Sequence, residues 1–443
     1  MNSTNRRDFL KHTGLTAAAV TMAARCAKLT CAESKDTSAN ERPVVAVIGT
    51  GGMGMAHVRQ LAANRGVRLA YVCDVDERRS HDAAKTAEAA GAAPAVEKDL
   101  RRVLDDKSVD AVWIATPDHW HAPATILACQ AGKHVYVEKP CSHNLREGRL
   151  MIEAARRNQR VVQVGTQSRS TDHVRQAIER LRSGAIGDVL VAKAWNSQRR
   201  STIGHAQPSE PPPQQLDYDL WLGPAPFVPY QANLLPGIWR WWHAFGTGDM
   251  GNDGVHDIDI ARWGLGVETH PGRIAALGGK SFFDDDQQFP DTQYVVFEYG
   301  AAAAGRAKQL IFEQRIWSPY VQEGHENGNA FYGTEGVLIL GKQSGWQLFG
   351  PKNKLVEEGR GSPDLPAHHR DFLDCIRAGG APHAEIEINH LSSSLCHLGN
   401  IATRVGRVLR FDPATEQVLD DDDAQRLLRR DYRDAHWAAP RGA

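Results

Sequence analysis

The short apolar run 44–48 opens directly into Gly49-Thr50-Gly51-Gly52-Met53-Gly54, and few folds accommodate that junction. The run reads as a buried strand, and residues 55–64 behind the glycines read as a helix. The first glycine of such a turn permits the tight bend, and the second lets backbone amides approach a pyrophosphate. The third lets helix and strand pack closely. The helix N-terminus adds unpaired N–H groups and the positive end of its dipole. G-x-G-x-x-G alone says little in a chain with 40 glycines. Set between a strand and a helix, it specifies a dinucleotide cradle at Gly49, Gly51, Gly52, Met53 and Gly54.

The same rhythm continues. Strands are expected at 69–73, 111–115, 134–137 and 161–164, with helices at 77–90, 122–131 and 145–157 between them. Strands alternating with helices at this pace imply a parallel sheet covered on both faces. Asp74 ends the second strand, where a carboxylate accepts hydrogen bonds from the adenosine ribose and repels a 2′-phosphate. No arginine intervenes before Arg78, so NAD is expected in preference to NADP. The other use open to Asp74 is a helix N-cap.

Past about residue 165 the pattern changes. A helix at 173–183 and a strand at 189–195 lead into a long loop through Pro208 and Pro211-Pro212-Pro213, which has no N–H groups to give at its prolines. Segments 293–299, 306–312 and 337–340 read as longer strands joined by Gly-containing turns. In one such turn, Ala301 to Ala304 reads as a hairpin tip and not as helix. Helices return at 367–378, 389–406 and 424–432, the last preceded by Asp420 to Asp423, which suit a helix dipole better than a metal. Asp284-Asp285-Asp286 reads as a solvated turn. The expected fold class is α/β: a Rossmann dinucleotide-binding domain at 43–165, then a C-terminal α+β domain at 166–443 with a large, mostly antiparallel open sheet. A length of 443 residues agrees with two domains.

Lys plus Arg number 52 and Asp plus Glu 53, so no basic surplus exists to attract nucleic acid. No apolar run reaches the roughly 18 residues needed to span a bilayer. The first residues carry a different signal. Arg6-Arg7-Asp8-Phe9-Leu10-Lys11, the mildly apolar stretch 14–24 and the small residues around Thr30-Cys31-Ala32 stand in the order of a twin-arginine export signal. The expectation is a signal peptide at 1–32, a polar linker at 33–42, and a periplasmic or otherwise extracytoplasmic protein carried folded by the twin-arginine translocase. The alternative is a basic tail that happens to begin Arg-Arg. Cleavage would remove Cys26 and Cys31. Cys73, Cys129, Cys141, Cys375 and Cys396 are scattered, and they are expected as buried small hydrophobes, not as disulfides or zinc ligands.

Further motifs follow the glycine turn in series: Asp110-Ala-Val-Trp-Ile-Ala-Thr-Pro-Asp-His-Trp-His121, Glu138-Lys139-Pro140, Gln163-Val-Gly-Thr-Gln-Ser-Arg169, Leu216-Asp-Tyr-Asp-Leu-Trp-Leu-Gly-Pro224 and Gly248-Asp-Met-Gly-Asn-Asp-Gly-Val-His256-Asp-Ile-Asp259. In this order they resemble the Gfo/Idh/MocA oxidoreductases, the group of glucose-fructose oxidoreductase and inositol dehydrogenase, from Pro43 to the C-terminus. The resemblance implies hydride transfer between a nicotinamide and a secondary alcohol of a sugar, polyol or cyclitol. It implies cofactor contacts at Thr116, Pro117, His121, Glu138 and Lys139. The residues expected at the substrate are Lys139, Arg169, Arg240, Trp241, Asn252, Asp253 and His256, and the resemblance implies a homo-oligomer, dimer or tetramer.

Alcohol oxidation needs a group near the hydroxyl to take its proton. By resemblance these groups are Lys139 and His256, with Lys139 at the carboxyl edge of a parallel sheet, where ligands bind in such folds. Burial beside a cationic nicotinamide should weaken the lysine's basicity. A strand-capping surface lysine and a satisfied core histidine are the rival readings. Many relatives carry Asp four residues before the histidine. This chain has Asn252, which cannot take a proton, followed by Asp253. Trp239, Trp241 and Trp242 around Arg240 suit either a sugar ring or packing between domains. A metal set of His119, His121, His243 and His256 is the weaker reading, and no metal is expected.

Two further functions stay open. One is a redox-neutral cleavage of glycosides by oxidation, elimination, hydration and re-reduction on a retained NAD. The other is a non-catalytic NAD or sugar sensor.

Overall fold

The central strands at the front of the chain, 44–48 and 111–114, are apolar at every position because both faces of their sheet are covered. This computed structural model describes residues 42–442 apart from 208–210 and 319. The segment 1–32 expected as a twin-arginine leader, with Cys26 and Cys31, the expected linker up to residue 41, and Pro208 lie outside the described residues. The first sheet contains β1 (Val44–Ile48), β2 (Arg68–Cys73), β3 (Ala95–Glu97), β4 (Ala111–Ile114), β5 (His134–Val137) and β6 (Val162–Val164). Between them run α1 (Gly52–Ala63), α2 (Glu77–Ala89), α3 (Leu100–Asp105), α4 (Asp118–Gln130) and α5 (Leu145–Arg157). The order is β3-β2-β1-β4-β5-β6, and every pair is parallel. Alternate residues feed two cores: Ala46, Ile48, Val112 and Ile114 on one face, Val45, Val47, Ala111 and Trp113 on the other. The chain steps outward from β1 in both directions, so a crevice opens between the carboxyl ends of β1 and β4.

The second lobe adds α6 (Asp172–Arg182), β7 (Val189–Asn196), α7 (Tyr218–Leu222), α8 (Val255–Leu265), β8 (Arg273–Gly279), β9 (Thr292–Tyr299), α9 (Ala301–Ala304) and β10 (Lys308–Arg315). There follow β11 (Asn327–Gly333), β12 (Val337–Gly341), β13 (Gly345–Gly350), β14 (Lys354–Arg360), α10 (Leu365–Ala378), α11 (Ile386–Val405), β15 (Leu409–Asp412), β16 (Gln417–Leu419) and α12 (Asp422–Arg426). The ten-stranded sheet runs β14-β13-β12-β11-β7-β10-β9-β8-β15-β16, parallel at β7–β10 and antiparallel elsewhere. In β9 buried and more exposed residues alternate, as one covered face demands. That face buries Phe297, Phe312 and Phe331 against Ile258 of α8 and Leu395 and Leu398 of α11. Pro43 onward forms one compact unit, because α10 sends Phe372 and Leu373 into one core of the first sheet, and Ile386 enters the other.

Three local expectations are corrected. Ala301–Ala304 is a single helical turn closing the β9–β10 hairpin, because Ala304 N–H bonds back to the Gly300 carbonyl. Asp284-Asp285-Asp286 is not simply solvated: Asp285 is 5% exposed, accepts from the Ile203 N–H and pairs with Lys280. The final helix is shorter than 424–432; it stops at Arg426, with Asp421 capping it through the Ala424 N–H. All five described cysteines are free, four of them buried and Cys375 half-buried. Among the described residues no helix is long and apolar enough to cross a membrane.

Candidate active site

A cavity of about 830 Å³ runs along the crevice, from Asp74 and Leu100 past Gly51, Gly52 and Met53 to Lys139 and Asn252. Gly49 makes the turn at φ +85°, and a Cβ on it would press into the Ala115–Thr116 peptide. A Cβ on Gly54 would lie 1.8 Å from the Gly49 carbonyl oxygen, so this glycine lets α1 sit against the strand. No side chain caps the start of α1, which leaves its first N–H groups for a ligand's phosphates. Asp74 accepts from the Thr50 N–H at 2.7 Å and the Asp76 N–H at 3.0 Å. The helix cap is Asp76, which accepts from the Arg78 N–H, so Asp74 is left to the cavity wall. Thr116 and Pro117 line the cavity, and the Thr116 hydroxyl is buried without a partner. His121 also lines it, with both ring nitrogens engaged by the Pro140 and Thr116 carbonyls at 2.7 and 2.9 Å. These residues fit a dinucleotide.

Lys139, just past the end of β5, points across to the second lobe, where its Nζ donates to the Asn252 backbone carbonyl. Burial pushes its pKa down; Glu138, Asp118 and Asp253 oppose this, and Arg240 reinforces it. Glu138 is buried, with Oε1 3.0 Å from His57 Nε2, while His57 Nδ1 lies 2.9 Å from His369 Nε2. Burial alone would raise the Glu138 pKa, but the bond and charge of His57, with Lys139 and His256, hold it at about 2. A carboxylate so fixed favours the protonated amine of Lys139. Glu138→Gln should therefore lower the lysine's pKa further, and in the oxidising direction the acid limb of kcat against pH should move to lower pH. An unmoved limb would show that Glu138 does not act on the lysine.

A polar cavity of about 480 Å³ continues from Lys139 and is lined by Arg200, Arg240, Trp241, Asn252 and Asp253. Residues Met250–Gly254 form a π-helical turn entering α8, a distortion that often marks functional sites. Arg240 Nε donates to Asn252 Oδ1 at 3.0 Å, and its guanidinium lies 4.6 Å from the Trp239 ring centre. Asn252 in turn donates to Asp249 at 3.0 Å, and Arg200 binds Asp249 and Asp253. His256 is half-buried one step behind and is not on the lining of either cavity. Burial first, then Lys342 and Lys139, depress its pKa to about 3, so it is neutral at physiological pH.

Arg169 is the clear correction to the substrate set. It is 4% exposed and makes a bidentate pair with Asp259 at 2.7 and 2.8 Å, inside the protein and away from both cavities. The tryptophans divide: Trp241 lines the polar cavity and Trp239 the nucleotide cavity, while Trp242 donates to the Asn233 carbonyl and packs on a small core around Trp221 and Phe245. His119 is buried against Trp221 and the half-buried His243 packs on Phe289, so the four histidines do not converge. The group with metal-ligand spacing among the described residues is His270, His390 and Glu416, where Arg149 Nη2 already binds Glu416 at 2.6 Å. Sequence reasoning missed Arg200 and Gln198 in the polar cavity, and Lys98, Leu100 and Trp437 at the nucleotide's far end. None of these lies in a motif. All but Leu100, which opens α3, reach the site from loops whose course only the fold defines.

Comparison with known proteins agrees with this geometry. The Gfo/Idh/MocA model described as an oxidoreductase family with an NAD-binding Rossmann fold matches residues 44–166. The model for the C-terminal alpha/beta domain of the same oxidoreductases matches 193–292 and 333–439. Inositol 2-dehydrogenase of Rubrobacter xylanophilus is 30% identical over 308 residues, covering 69% of this chain and 73% of the relative. Inositol 2-dehydrogenase 2 of Saccharopolyspora erythraea is 33% identical over 261 residues, 57% of this chain and 62% of that protein. Levoglucosan dehydrogenase, solved with NADH and levoglucosan, superposes with a TM-score of 0.63 at 20% identity over 83% of this chain and 98% of the other, a likeness of fold.

Proposed function

Because this chain belongs to the Gfo/Idh/MocA oxidoreductase family, we propose that it oxidises a secondary alcohol of a sugar or cyclitol with tightly held NAD. One observation carries the reading: the amine of Lys139 stands where the nucleotide cleft meets the polar cavity and lines both. The names of the inositol dehydrogenase relatives support a polyhydroxylated ring as substrate. Bound NAD supplies the hydride acceptor. Lys139 takes the hydroxyl proton, helped by its depressed pKa. Arg240 and Asn252 offer hydrogen bonds to neighbouring ring hydroxyls, and Trp241 offers an apolar face to the ring. His256, neutral and close to Lys139, serves as a hydrogen-bonding partner and not as the primary base.

The leader pattern at Arg6-Arg7 supports export in the folded state with NAD already aboard, outside any cytoplasmic nucleotide pool. The test is to denature purified protein and measure released nucleotide by absorbance and mass, then to add inositols, sugars and glycosides to intact protein. Stoichiometric NAD and formation of NADH with a neutral ring polyol are expected. Aglycone release without net NADH would move the chain to the redox-neutral cycle, and failure to bind any nucleotide would end the proposal.

A further inference from the structure

We propose that residues 428–442 form a strap across the adenosine end of the nucleotide cleft, with Trp437 a cofactor-binding residue that slows nucleotide release. This rests on the NAD reading above and adds residues that no motif identifies.

After α12 the chain leaves the edge of the second sheet and returns to the first lobe. It is pinned there at successive points. Arg430 donates to Glu147 Oε1 on α5 at 2.8 Å and to the His119 carbonyl at 2.7 Å. The Tyr432 hydroxyl donates to the same Glu147 oxygen at 2.7 Å. The Arg433 N–H bonds the Pro224 carbonyl at 2.9 Å, and its guanidinium bonds Asp219 at 2.7 Å. Ala438 is 2% exposed in a core of the first sheet, and the Gly442 carbonyl accepts from Arg146. Glu147 is fully buried, so its pair with Arg430 is a fixed anchor and not a surface contact.

Between these anchors Trp437 lines the nucleotide cavity with Asp74, Lys98, Asp99 and Leu100. Those residues mark the adenosine half, since Asp74 is the position that meets the ribose and the glycine turn holds the pyrophosphate. The indole is held in place rather than loose. The Arg101 guanidinium lies 4.4 Å from its ring centre, and Arg101 is itself clamped by Asp99. The Trp120 ring lies 5.8 Å away. Even so, Trp437 is 37% exposed, a large aromatic surface left uncovered beside a cavity. An adenine base would cover it, since stacking on aromatic side chains tolerates any base. Nucleotide cannot leave on that side without displacing a segment anchored at both ends.

The experiment uses the full-length protein loaded with NAD and follows its release after dilution into excess competing nucleotide. Trp437→Ala should release NAD on the order of ten- to a hundredfold faster, the scale of a lost base–aromatic stack. Trp437→Phe should restore most of the retention. AMP affinity should fall in step, while nicotinamide mononucleotide affinity should not change, which locates the effect at the adenosine end. Arg101→Ala, at an exposed position, is a second variant in case Trp437→Ala does not fold, and it too should release NAD faster. Wild-type release rates in the variants, or an equal loss of nicotinamide mononucleotide affinity, would overturn the strap while leaving the NAD reading intact. Wild-type protein that binds neither NAD nor AMP would overturn both.

Discussion

Lys139→Ala is expected to abolish turnover, by about 10²–10⁴-fold, while nucleotide remains bound. The loss should appear in kcat, because in the proposed reaction the amine takes the hydroxyl proton as hydride leaves. Nucleotide content should persist because the cradle at Gly49, the α1 N-terminus and Asp74 owe nothing to the lysine side chain. His256→Asn should cost far less, since the ring is neutral and off the cavity lining. The measurement is single-turnover reduction of bound NAD across a pH series, with nucleotide quantified in each variant. Lys139→Ala at wild-type speed would remove the lysine from the chemistry, and equal losses at both positions would make them one unit.

Asp259→Ala should destabilise the protein by about 3–5 kcal/mol, the cost of stranding a buried charge. Its carboxylate is completely buried, clamped by Arg169 and by the Ser392 hydroxyl at 2.6 Å, and Arg262 donates to that same hydroxyl at 2.9 Å. The cluster joins the turn after β6 to α8 and α11, and the Arg169 guanidinium also lies 4.8 Å from the Trp263 ring centre. Burial raises the Asp259 pKa, but the charge and hydrogen bonds of Arg169 more than reverse this, so its folded pKa is depressed. The stability it contributes is present above the ordinary carboxylate range and is lost as pH falls through the folded value. Urea unfolding of the variant near neutral pH measures the loss. Arg169→Met with Asp259→Leu should recover much of it, since apolar replacements remove the buried charges altogether. In Arg169→Met at permissive temperature KM should stay near wild type; a large rise would return Arg169 to the substrate site.

Arg169 shows where sequence reading stops. A motif tells which stretch of chain lies near a site, but not which way each side chain turns, and the pairing with Asp259 joins residues ninety positions apart. The first sheet was legible because its central strands β1 and β4 are continuous apolar runs and its glycine turn has a steric cause at Gly49 and Gly54. The short β3 and α3 were not, being only 3 and 6 residues long, too brief to show a period. In the second lobe β11 begins Asn327-Gly328-Asn329 and β13 is bounded by Gly345 and Gly350, so composition hid strands that exist through ladder partners. Lys139, Glu138, Asn252 and Asp253 line the two cavities, and for them motif and fold position agree. The Asn252 carbonyl that receives the lysine was invisible, because it depends on a π-helical turn that side-chain patterns do not record.

Phe372, Leu373, Ile386 and Ala438 complete hydrophobic layers that begin at Val45 and Ala46. Until those distant residues dock, the apolar faces of the first sheet that they cover stay open. Such distant pairings slow folding and invite aggregation in the interval. The two cores that flank the nucleotide cleft are thus closed by contacts between distant parts of the chain, so disturbing the late segments should loosen the first sheet as well.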